Sequence, residues 1–412
     1  MLDLEEQIHR YAEAAGDRVG AGAKAVRTVS PRSRPAWPLA LAAGVIALAV
    51  VAGLVLRSQA GNDDPADDGP PPSVEEPGDG GGTWDKIPPA PIAARFAEVL
   101  VATDDELIVW GGYGDADYAD GAAYSFADGT WRTMAPSPLA ARNFAVAVWT
   151  GEEVLIWGGE GPDGTSLEDG AAYDPAADTW RMLPSSGGAV GRSEVTGTVW
   201  TGQEMVLVGV SSAPNAFLPS DVVAYDPAED QWRTLDAFPG PQPFVNVHDT
   251  VWTGTEVLVT SSPDEAGDLV IWPLDPASGT WGEPVDTQAG GYGGPPVWTG
   301  AVLVIPDLDP HGVVFDPATG ELTELAPSGD RDGEVPTTAV SERVVIDGDR
   351  WLDPTTGAWH DVASTGESDR FGPDALAHDG TLVVWGGDRL GPAVDDFAFS
   401  GRNDGLIWRP PS

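Results

Sequence analysis

Histidine and cysteine are the side chains that most often act as nucleophiles, bases and metal ligands, and the 412-residue sequence has five histidines and no cysteine. The absence of cysteine excludes a thiol nucleophile, a disulfide framework and a cysteine-ligated metal. His248, His311, His360 and His378 are far apart, with no HxH or HExxH spacing. We interpret each as a surface or packing residue and keep a metal-ligand role as the alternative. The sequence thus predicts no catalytic, cofactor-binding or metal-binding residue.

Two acidic segments are similar to calcium-binding loops. They are DADYADG at residues 115–121 and DRDGE at residues 330–334. Neither has the full spacing of an EF-hand loop. Calcium binding therefore stays an alternative, and we predict no cofactor.

Arginine recurs at one position of a repeated pattern. Arg95, Arg142, Arg192 and Arg370 each precede an apolar run. Arginine clusters can bind carboxylates in a bidentate manner. Since the four arginines occupy equivalent positions, a repeated structural salt bridge is the interpretation that we favour.

The charge balance of the chain excludes one class of partner. The sequence has 65 acidic and 21 basic residues, a formal net charge of -44. Phosphate backbones need a basic surface, so a nucleic-acid partner is excluded. The excess of acid is typical of a soluble, self-repelling surface.

The N-terminal part divides into three segments. Residues 36–56 are an uncharged run of apolar residues that is long enough for a single transmembrane helix. Basic residues precede this run, which predicts a cytoplasmic leader at residues 1–35, with a short amphipathic helix at residues 2–19. Residues 57–83 are acidic and rich in Gly and Pro, which indicates a disordered linker. A cleaved signal peptide remains the alternative.

The rest of the chain, residues 84–412, is built from repeats. Apolar strands such as EEVLIWGG (152–159) are followed by hairpin sequences such as AYDPAADTW (172–180), with a period of about 46 residues. Each unit holds about four short strands, a pattern that predicts an all-β propeller of about seven four-stranded blades. Six or eight blades remain open, because the fifth and sixth units are short.

Three local features of the repeat have predicted structural roles. The Asp-Pro pairs, such as Asp174-Pro175, make tight turns. The Gly-Gly pairs end a strand where another backbone or ring comes close. The strand at Trp84 joins the last blade and closes the ring, which hides both sheet edges.

The apolar strand ending in Gly-Gly, the following Tyr and the later Trp resemble the Kelch repeat. The resemblance covers residues 84–412 and implies a propeller of the galactose-oxidase-like superfamily, here in a membrane-anchored bacterial form. Galactose oxidase has a copper site with a Tyr crosslinked to Cys. Because this chain has no Cys, that cofactor cannot form.

The predicted function is binding of a protein or glycan outside the cell membrane, through loops on one face of the propeller. The loops after Gly112, Gly159 and Gly387 are the candidate surface, with the non-repeating segment 160–170 as its most distinctive part. One alternative is an enzyme acting on cell-envelope carbohydrate. Another is a transmembrane sensor that reports through residues 2–19. The sequence does not identify the ligand, a reaction or an oligomeric state.

Overall fold

The structure is a computed structural model. It describes residues 81–187, 193–211, 222–240, 246–262, 267–290, 295–306, 312–325, 338–341, 344–347, 350–353, 356–363, 365, 370–371, 373–389 and 401–411. Within these ranges no helix has the length and apolar character needed to span a membrane. Residues 1–80 lie outside the described part of the chain. The leader, the transmembrane helix at 36–56 and most of the linker therefore stay predictions.

The described residues form β-strands. Strands β1 to β16 are Thr83–Ile87, Val99–Ala102, Glu106–Trp110, Gly121–Ser125, Thr130–Thr133, Val146–Trp149, Val154–Trp157, Gly170–Asp174, Thr179–Met182, Ser193–Trp200, Met205–Ser211, Val222–Asp226, Gln231–Thr234, Asn246–Trp252, Val257–Ser262 and Asp268–Asp275. Strands β17 to β31 are Thr280–Trp281, Val285–Gly290, Val297–Trp298, Leu303–Ile305, Gly312–Asp316, Glu321–Leu325, Thr338–Ser341, Val344–Asp347, Arg350–Asp353, Ala358–Asp361, Arg370–Phe371, Asp374–His378, Thr381–Trp385, Asp388–Arg389 and Gly405–Arg409.

The strands assemble into antiparallel sheets that follow one another along the chain. Blade 1 is β2–β5, blade 2 is β6–β9, blade 3 is β10–β13, blade 4 is β14–β18, blade 5 is β19–β22 and blade 6 is β23–β26. The closing blade has the order β28-β29-β31-β1, and β27 pairs with β30 beside it. The first strands contact one another in turn, and β28 returns to contact β2. The predicted all-β propeller is confirmed.

The prediction of about seven four-stranded blades needs a correction. The described residues form six four-stranded sheets, whereas the unit from 246 to 290 is a five-stranded sheet. Its third strand, β16, is eight residues long, but its neighbour β17 has only two. Pro284 interrupts the chain after β17, since proline cannot donate a ladder hydrogen bond. The free length of β16 then pairs with β18.

The ring closes by pairing the two ends of the described chain. Strand β1 runs antiparallel to β31, with Trp84 directly opposite Trp408. The indole N–H of Trp84 donates to the carbonyl of Ala363 at 2.6 Å, and that of Trp408 donates to the carbonyl of Gly81 at 2.9 Å. Ile87 is 1% exposed and packs between the closing blade and blade 1. The predicted closure by the strand at Trp84 is confirmed.

The hydrophobic core lies between the faces of neighbouring sheets. One cluster joins the two middle strands of blades 1 and 2, with Ile108 and Ile156 fully buried. The tryptophan of an outer strand packs against this core and donates its indole N–H to the preceding sheet, as Trp180 does to the carbonyl of Ala135 at 2.9 Å. The same bond joins Trp131 to Pro88, Trp232 to Pro184 and Trp281 to Asp236. The repeated tryptophan therefore holds one blade to the next.

Asp-Pro pairs make the outer hairpins. The carboxylate of Asp174 accepts the amide N–H of Ala177 at 2.9 Å, and Asp226, Asp275 and Asp316 cap their turns in the same way. Asp178 and Asp230, at the ends of two such turns, have positive φ angles of 50° and 53°. Aspartate tolerates this conformation better than most residues. The predicted turn-making role is confirmed.

Candidate functional site

The candidate site lies on the face where the first strand of each blade begins and the second strand ends, here called the upper face. Register puts Val99 opposite Trp110, Val146 opposite Trp157 and Asp374 opposite Trp385. The loops that follow Trp110, Trp157 and Trp385 therefore share this face with the entrances to β2, β6 and β28. Backbone hydrogen bonds join blades 1 and 2 at this end, from Gly112 to Arg142 at 2.8 Å and from Phe144 to Ala97 at 2.9 Å.

The Gly-Gly pairs turn the chain at this face. Both glycines of each described pair have positive φ, for example 69° at Gly158 and 89° at Gly159. A Cβ atom on Gly159 would lie 2.5 Å from the carbonyl oxygen of Asn143. No side chain fits there, so the predicted close approach of another backbone is confirmed. A phosphate-cradling role is not needed to explain these glycines.

A buried arginine holds each Gly-Gly turn. Arg142 is 0% exposed, and its Nη1 donates to the carbonyls of Gly158 at 2.9 Å and Asp169 at 3.2 Å. Its Nη2 also lies 2.9 Å from a carboxylate oxygen of Asp169. Equivalent bonds join Arg95 to Gly111 and Asp120, and Arg370 to Gly386 and Asp404. The interpretation of these arginines as repeated structural salt bridges is confirmed for these three, while Arg192 lies outside the described residues.

Three aromatic side chains form a row on the upper face. The ring of Tyr113 lies 6.2 Å from that of Phe96 and 6.5 Å from that of Phe144. Phe144 is 56% exposed and has a φ of 53°. Ala97, at the equivalent position of blade 1, has a φ of 49°, so this conformation belongs to the repeat, although a positive φ is an outlier for a side chain as bulky as that of Phe144. Of the described residues, only Phe144 and Met182 are large hydrophobic side chains that are exposed.

A cavity of about 230 Å³ opens beside this row, at the mouth of the channel between the first strands. Its lining residues come from the closing blade and from blades 1 and 2: Glu98, Val99, Leu100, Ala145, Ala147, Asp374 and Ala375. Glu98 is only 9% exposed. The indole of Trp385 lies beside its carboxyl group, but neither that N–H nor Glu98 Oε2 has a hydrogen-bond partner.

The two carboxyl groups of the cavity differ in their pKa values. Burial, and then the charge of Asp374, raise the pKa of Glu98 to about 8, whereas the backbone N–H of Glu98, the charge of Arg95 and the indole of Trp385 act in the opposite direction. Asp374 is exposed at the start of β28, although protein atoms surround much of its carboxyl group. That crowding raises its pKa as well. With pKa values of about 8 for Glu98 and about 6 for Asp374, Asp374 is mainly ionised and Glu98 mainly protonated at neutral pH.

The loops predicted to form the binding surface flank this cavity. The loop after Gly112 carries Tyr113, and the loop after Gly159 bridges back to residue 143 through Glu160. In the latter, Asp163 accepts the hydroxyl and amide hydrogens of Thr165. The loop after Gly387 lies largely outside the described residues, which stop at 389 and resume at 401.

The acidic segment 115–121 does not gather its carboxylates around one point. Asp117 accepts a hydrogen bond from the side-chain amide of Asn143 at 2.6 Å, whereas Asp120 pairs with Arg95 at 3.0 Å. No group of three or more His, Asp or Glu side chains within the described ranges is placed to hold a metal ion. Residues 330–334, the other candidate calcium loop, lie outside those ranges.

Two of the four histidines have described side chains, and both stack on aromatic rings. His360 lies 4.2 Å from the ring of Trp351, and His378 lies 3.9 Å from that of Phe126. Burial lowers the pKa of His378. Their interpretation as packing residues is confirmed. His311 and the side chain of His248 are outside the described part.

A wider cavity of about 740 Å³ lies at the opposite end of blades 1 and 2. Its lining includes Glu106 and Arg132, but these two side chains bond to each other at 2.8 Å and 2.6 Å. Arg132 also donates to the hydroxyl of Tyr173 in the next blade. Since these polar groups serve to join the blades, the upper face is the better candidate site.

Sequence reasoning missed Glu98, Phe144 and Asp374. The signal in the sequence was one position at which blade 1 departs from the repeat pattern. Three residues after the buried arginine, blade 2 has Ala145 and the closing blade has Pro373, but blade 1 has the acid Glu98. Comparison of the repeats position by position would have singled out Glu98. It could not have shown that Asp374 lies in the same cavity.

A comparison with models of known protein families gives a match. The family model described as the KLHDC2/KLHL20/DRC7 Kelch-repeats domain matches residues 82–261, which span β1, blades 1 to 3 and the first strands of blade 4. No curated protein matches the sequence significantly. The Gly-Gly turns held by buried arginines, the tryptophans between blades and this family match lead to one conclusion: residues 82–261 carry Kelch repeats, which form part of a β-propeller.

Proposed function

We propose that this propeller binds a protein partner through its upper face, outside the cell, while the predicted helix at residues 36–56 anchors it to the membrane. A Kelch propeller suggests protein interaction in general. The single observation that supports this face is Phe144, an exposed aromatic residue in a strained conformation at the rim of the channel mouth. Exposed aromatic anchors next to a pocket are typical of the residues that dominate binding energy.

The negative charge of the loops around the channel mouth supports a basic partner. The loops at residues 111–120 and 158–169 contain seven acidic residues and no lysine or arginine. Their excess negative charge would speed the approach of a positively charged surface and disfavour an acidic one. The row of Phe96, Tyr113 and Phe144 would then supply the apolar contact at the centre.

A protein ligand is favoured over a glycan or a carbohydrate substrate. Most glycoside hydrolases use two carboxyl groups in one cavity. Glu98 and Asp374 are two such groups in this cavity. The other lining side chains are aliphatic, however, and offer no hydrogen bonds to sugar hydroxyls. Specific recognition of a sugar depends on such polar groups. The sensor alternative rests on residues 2–19, outside the described residues.

A single cysteine tests the binding face and the location together, because the chain has no other cysteine. Phe144→Cys places it on the upper face, and Met182→Cys, at a residue 47% exposed on an outer strand, is the matched control. Intact cells that express the full chain are treated with a membrane-impermeant maleimide that carries a photocrosslinker. We expect both variants to be labelled and only Phe144→Cys to crosslink to one discrete protein.

Two results would contradict the proposal separately. Labelling that requires permeabilised cells would refute the location outside the membrane. Labelling at both positions without a discrete adduct at residue 144, or with the same adduct at residue 182, would refute the upper face as the binding surface.

A further inference from the structure

Glu98 has a buried carboxyl group that the fold does not use. Its side chain is 91% buried, it lines the cavity at the channel mouth, and its Oε2 has no hydrogen-bond partner. A buried carboxyl oxygen without a hydrogen-bond partner costs stability. Such a group in a native fold needs an explanation outside the fold.

The structural salt bridge of blade 1 does not explain why residue 98 is an acid. Arg95 has its own counterion in Asp120, 3.0 Å away, and its Nη1 donates to the carbonyl of Gly111. Blade 2 builds the same arrangement around Arg142 with Ala145 at the position of Glu98. The arginine of blade 2 therefore forms its hydrogen bonds and its salt bridge without an acid at this position.

Glu98 crosses from its own blade to the closing blade. Its Oε1 lies 3.3 Å from the point where a Cβ atom on Gly386 would be. Asp374, which begins the first strand of the closing blade, lines the same cavity. The cavity thus has two carboxyl groups from two blades, and their mutual repulsion contributes to the raised pKa of Glu98.

The cavity has the size and chemistry for one basic side chain. Most of the accessible lining is polar, and Val99, Leu100, Ala145 and Ala147 add a small apolar area that the methylene stem of arginine or lysine can contact. The two carboxyl groups suit its charged end, because charge-assisted hydrogen bonds to carboxylates are the strong ones. A volume of about 230 Å³ accommodates such a side chain and little more.

We propose that the channel mouth recognises a single arginine or lysine side chain of a protein partner, held between Glu98 and Asp374. This inference rests on the proposed function and specifies the chemistry of its central contact. Phe144, on the rim, would cover the entrance once the partner is seated. Binding of the cation shifts Glu98 from the protonated to the ionised form, so one proton leaves the site on binding at neutral pH.

The test uses the full chain and the small cation n-butylguanidinium, with the neutral n-butylurea as the matched probe. Binding is measured by calorimetry at pH 7 and pH 9. With a pKa of about 8, Glu98 is about one-tenth ionised at the lower pH and about nine-tenths ionised at the higher one. Guanidinium keeps its charge at both. We expect affinity for n-butylguanidinium to rise about tenfold between pH 7 and pH 9, and no binding of n-butylurea.

Two variants complete the test. Glu98→Gln keeps the shape of the side chain and should weaken n-butylguanidinium binding at pH 9 about tenfold or more, since charged hydrogen bonds contribute about that factor. It should also abolish the rise with pH. Glu229→Gln removes an exposed acid from the hairpin between β12 and β13, away from the upper face, and should change neither value. If Glu98→Gln does not fold, the pH profile of the unaltered chain still decides the question.

The outcomes separate this inference from the proposed function. Equal affinity at pH 7 and pH 9, or equal loss in both variants, overturns the cation site even if residue 144 crosslinks to a partner. Binding of n-butylguanidinium that depends on Glu98 supports the site even if no crosslink forms at residue 144.

Discussion

At the scale of single residues, glycine has two different uses in this fold. Gly159 and Gly202 have the same φ angle of 89°. A Cβ atom on Gly159 would meet the carbonyl oxygen of Asn143 at 2.5 Å, whereas one on Gly202 would meet nothing within 4 Å. Gly202 is thus required only for its backbone conformation, while Gly159 is required for its conformation and for space.

Alanine substitutions at these two glycines separate the cost of backbone strain from the cost of a steric clash. Gly202→Ala should lower the free energy of unfolding by about 1 kcal/mol, the cost of a left-handed conformation for alanine. Gly159→Ala should lower it by about 3 kcal/mol or more, because overpacking adds to the same strain. Urea denaturation of both variants measures the difference. Equal losses would show that the backbone around Asn143 moves aside without cost.

At the scale of elements, buried arginines define the upper end of the blades. Arg142 donates to the carbonyls of Gly158 and Asp169, and the carbonyl of Asp169 also accepts the backbone N–H of Gly158. Burial lowers its pKa, and Asp169 offsets that effect in part. Arg409 also forms an ion pair, with Asp85 at 3.0 Å, but both side chains are more than half exposed.

The same substitution at the two arginines should have unequal effects. Arg142→Met should lower the free energy of unfolding by about 3 kcal/mol or more, since it leaves the carbonyl of Gly158 without a side-chain donor and Asp169 without its ion-pair partner. Arg409→Met should lower it by less than about 1 kcal/mol, because exposed pairs contribute little. Thermal unfolding of both variants, followed by circular dichroism, provides the comparison. A small loss at Arg142 would mean that water replaces the guanidinium.

At the scale of the whole molecule, the ring depends on the pairing of β1 with β31. Without β1, the N–H and C=O groups of β31 would form an open sheet edge, which is a template for self-association. Ile87 would also leave the core between the closing blade and blade 1. The closure matters for the candidate site as well, because Asp374 belongs to the closing blade and Glu98 precedes blade 1.

Two truncated chains isolate this contribution. A chain that starts at residue 88 lacks β1, and a chain that starts at residue 81 keeps it. The shorter chain should lose roughly 3 kcal/mol or more of stability from the buried Ile87 and the strand hydrogen bonds, and should associate through β31. Melting temperature and light scattering measure both effects. Equal melting temperatures and equal monomer content would show that the ring holds without this closure.

Local patterns in the sequence determined most of the fold. The strands β3, β7 and β29 are runs of apolar residues that end in Trp-Gly-Gly, the Asp-Pro pairs mark the hairpins, and the repeated tryptophans mark the contacts between blades. Each of these features acts over a few residues or between adjacent repeats. For that reason the period of the sequence was enough to predict a closed propeller and the place of its closing strand.

Tertiary structure alone decided the rest. The fifth strand of blade 4 depends on how much of β16 is left unpaired, which the period does not show. The cavity of Glu98 and Asp374 depends on the ring, because pairing of β1 with β31 brings two distant parts of the chain to one channel mouth. A lone acid in a sequence with 65 acidic residues carries no signal of its own. Among the acids that the structure describes, Glu98 is distinguished by its burial.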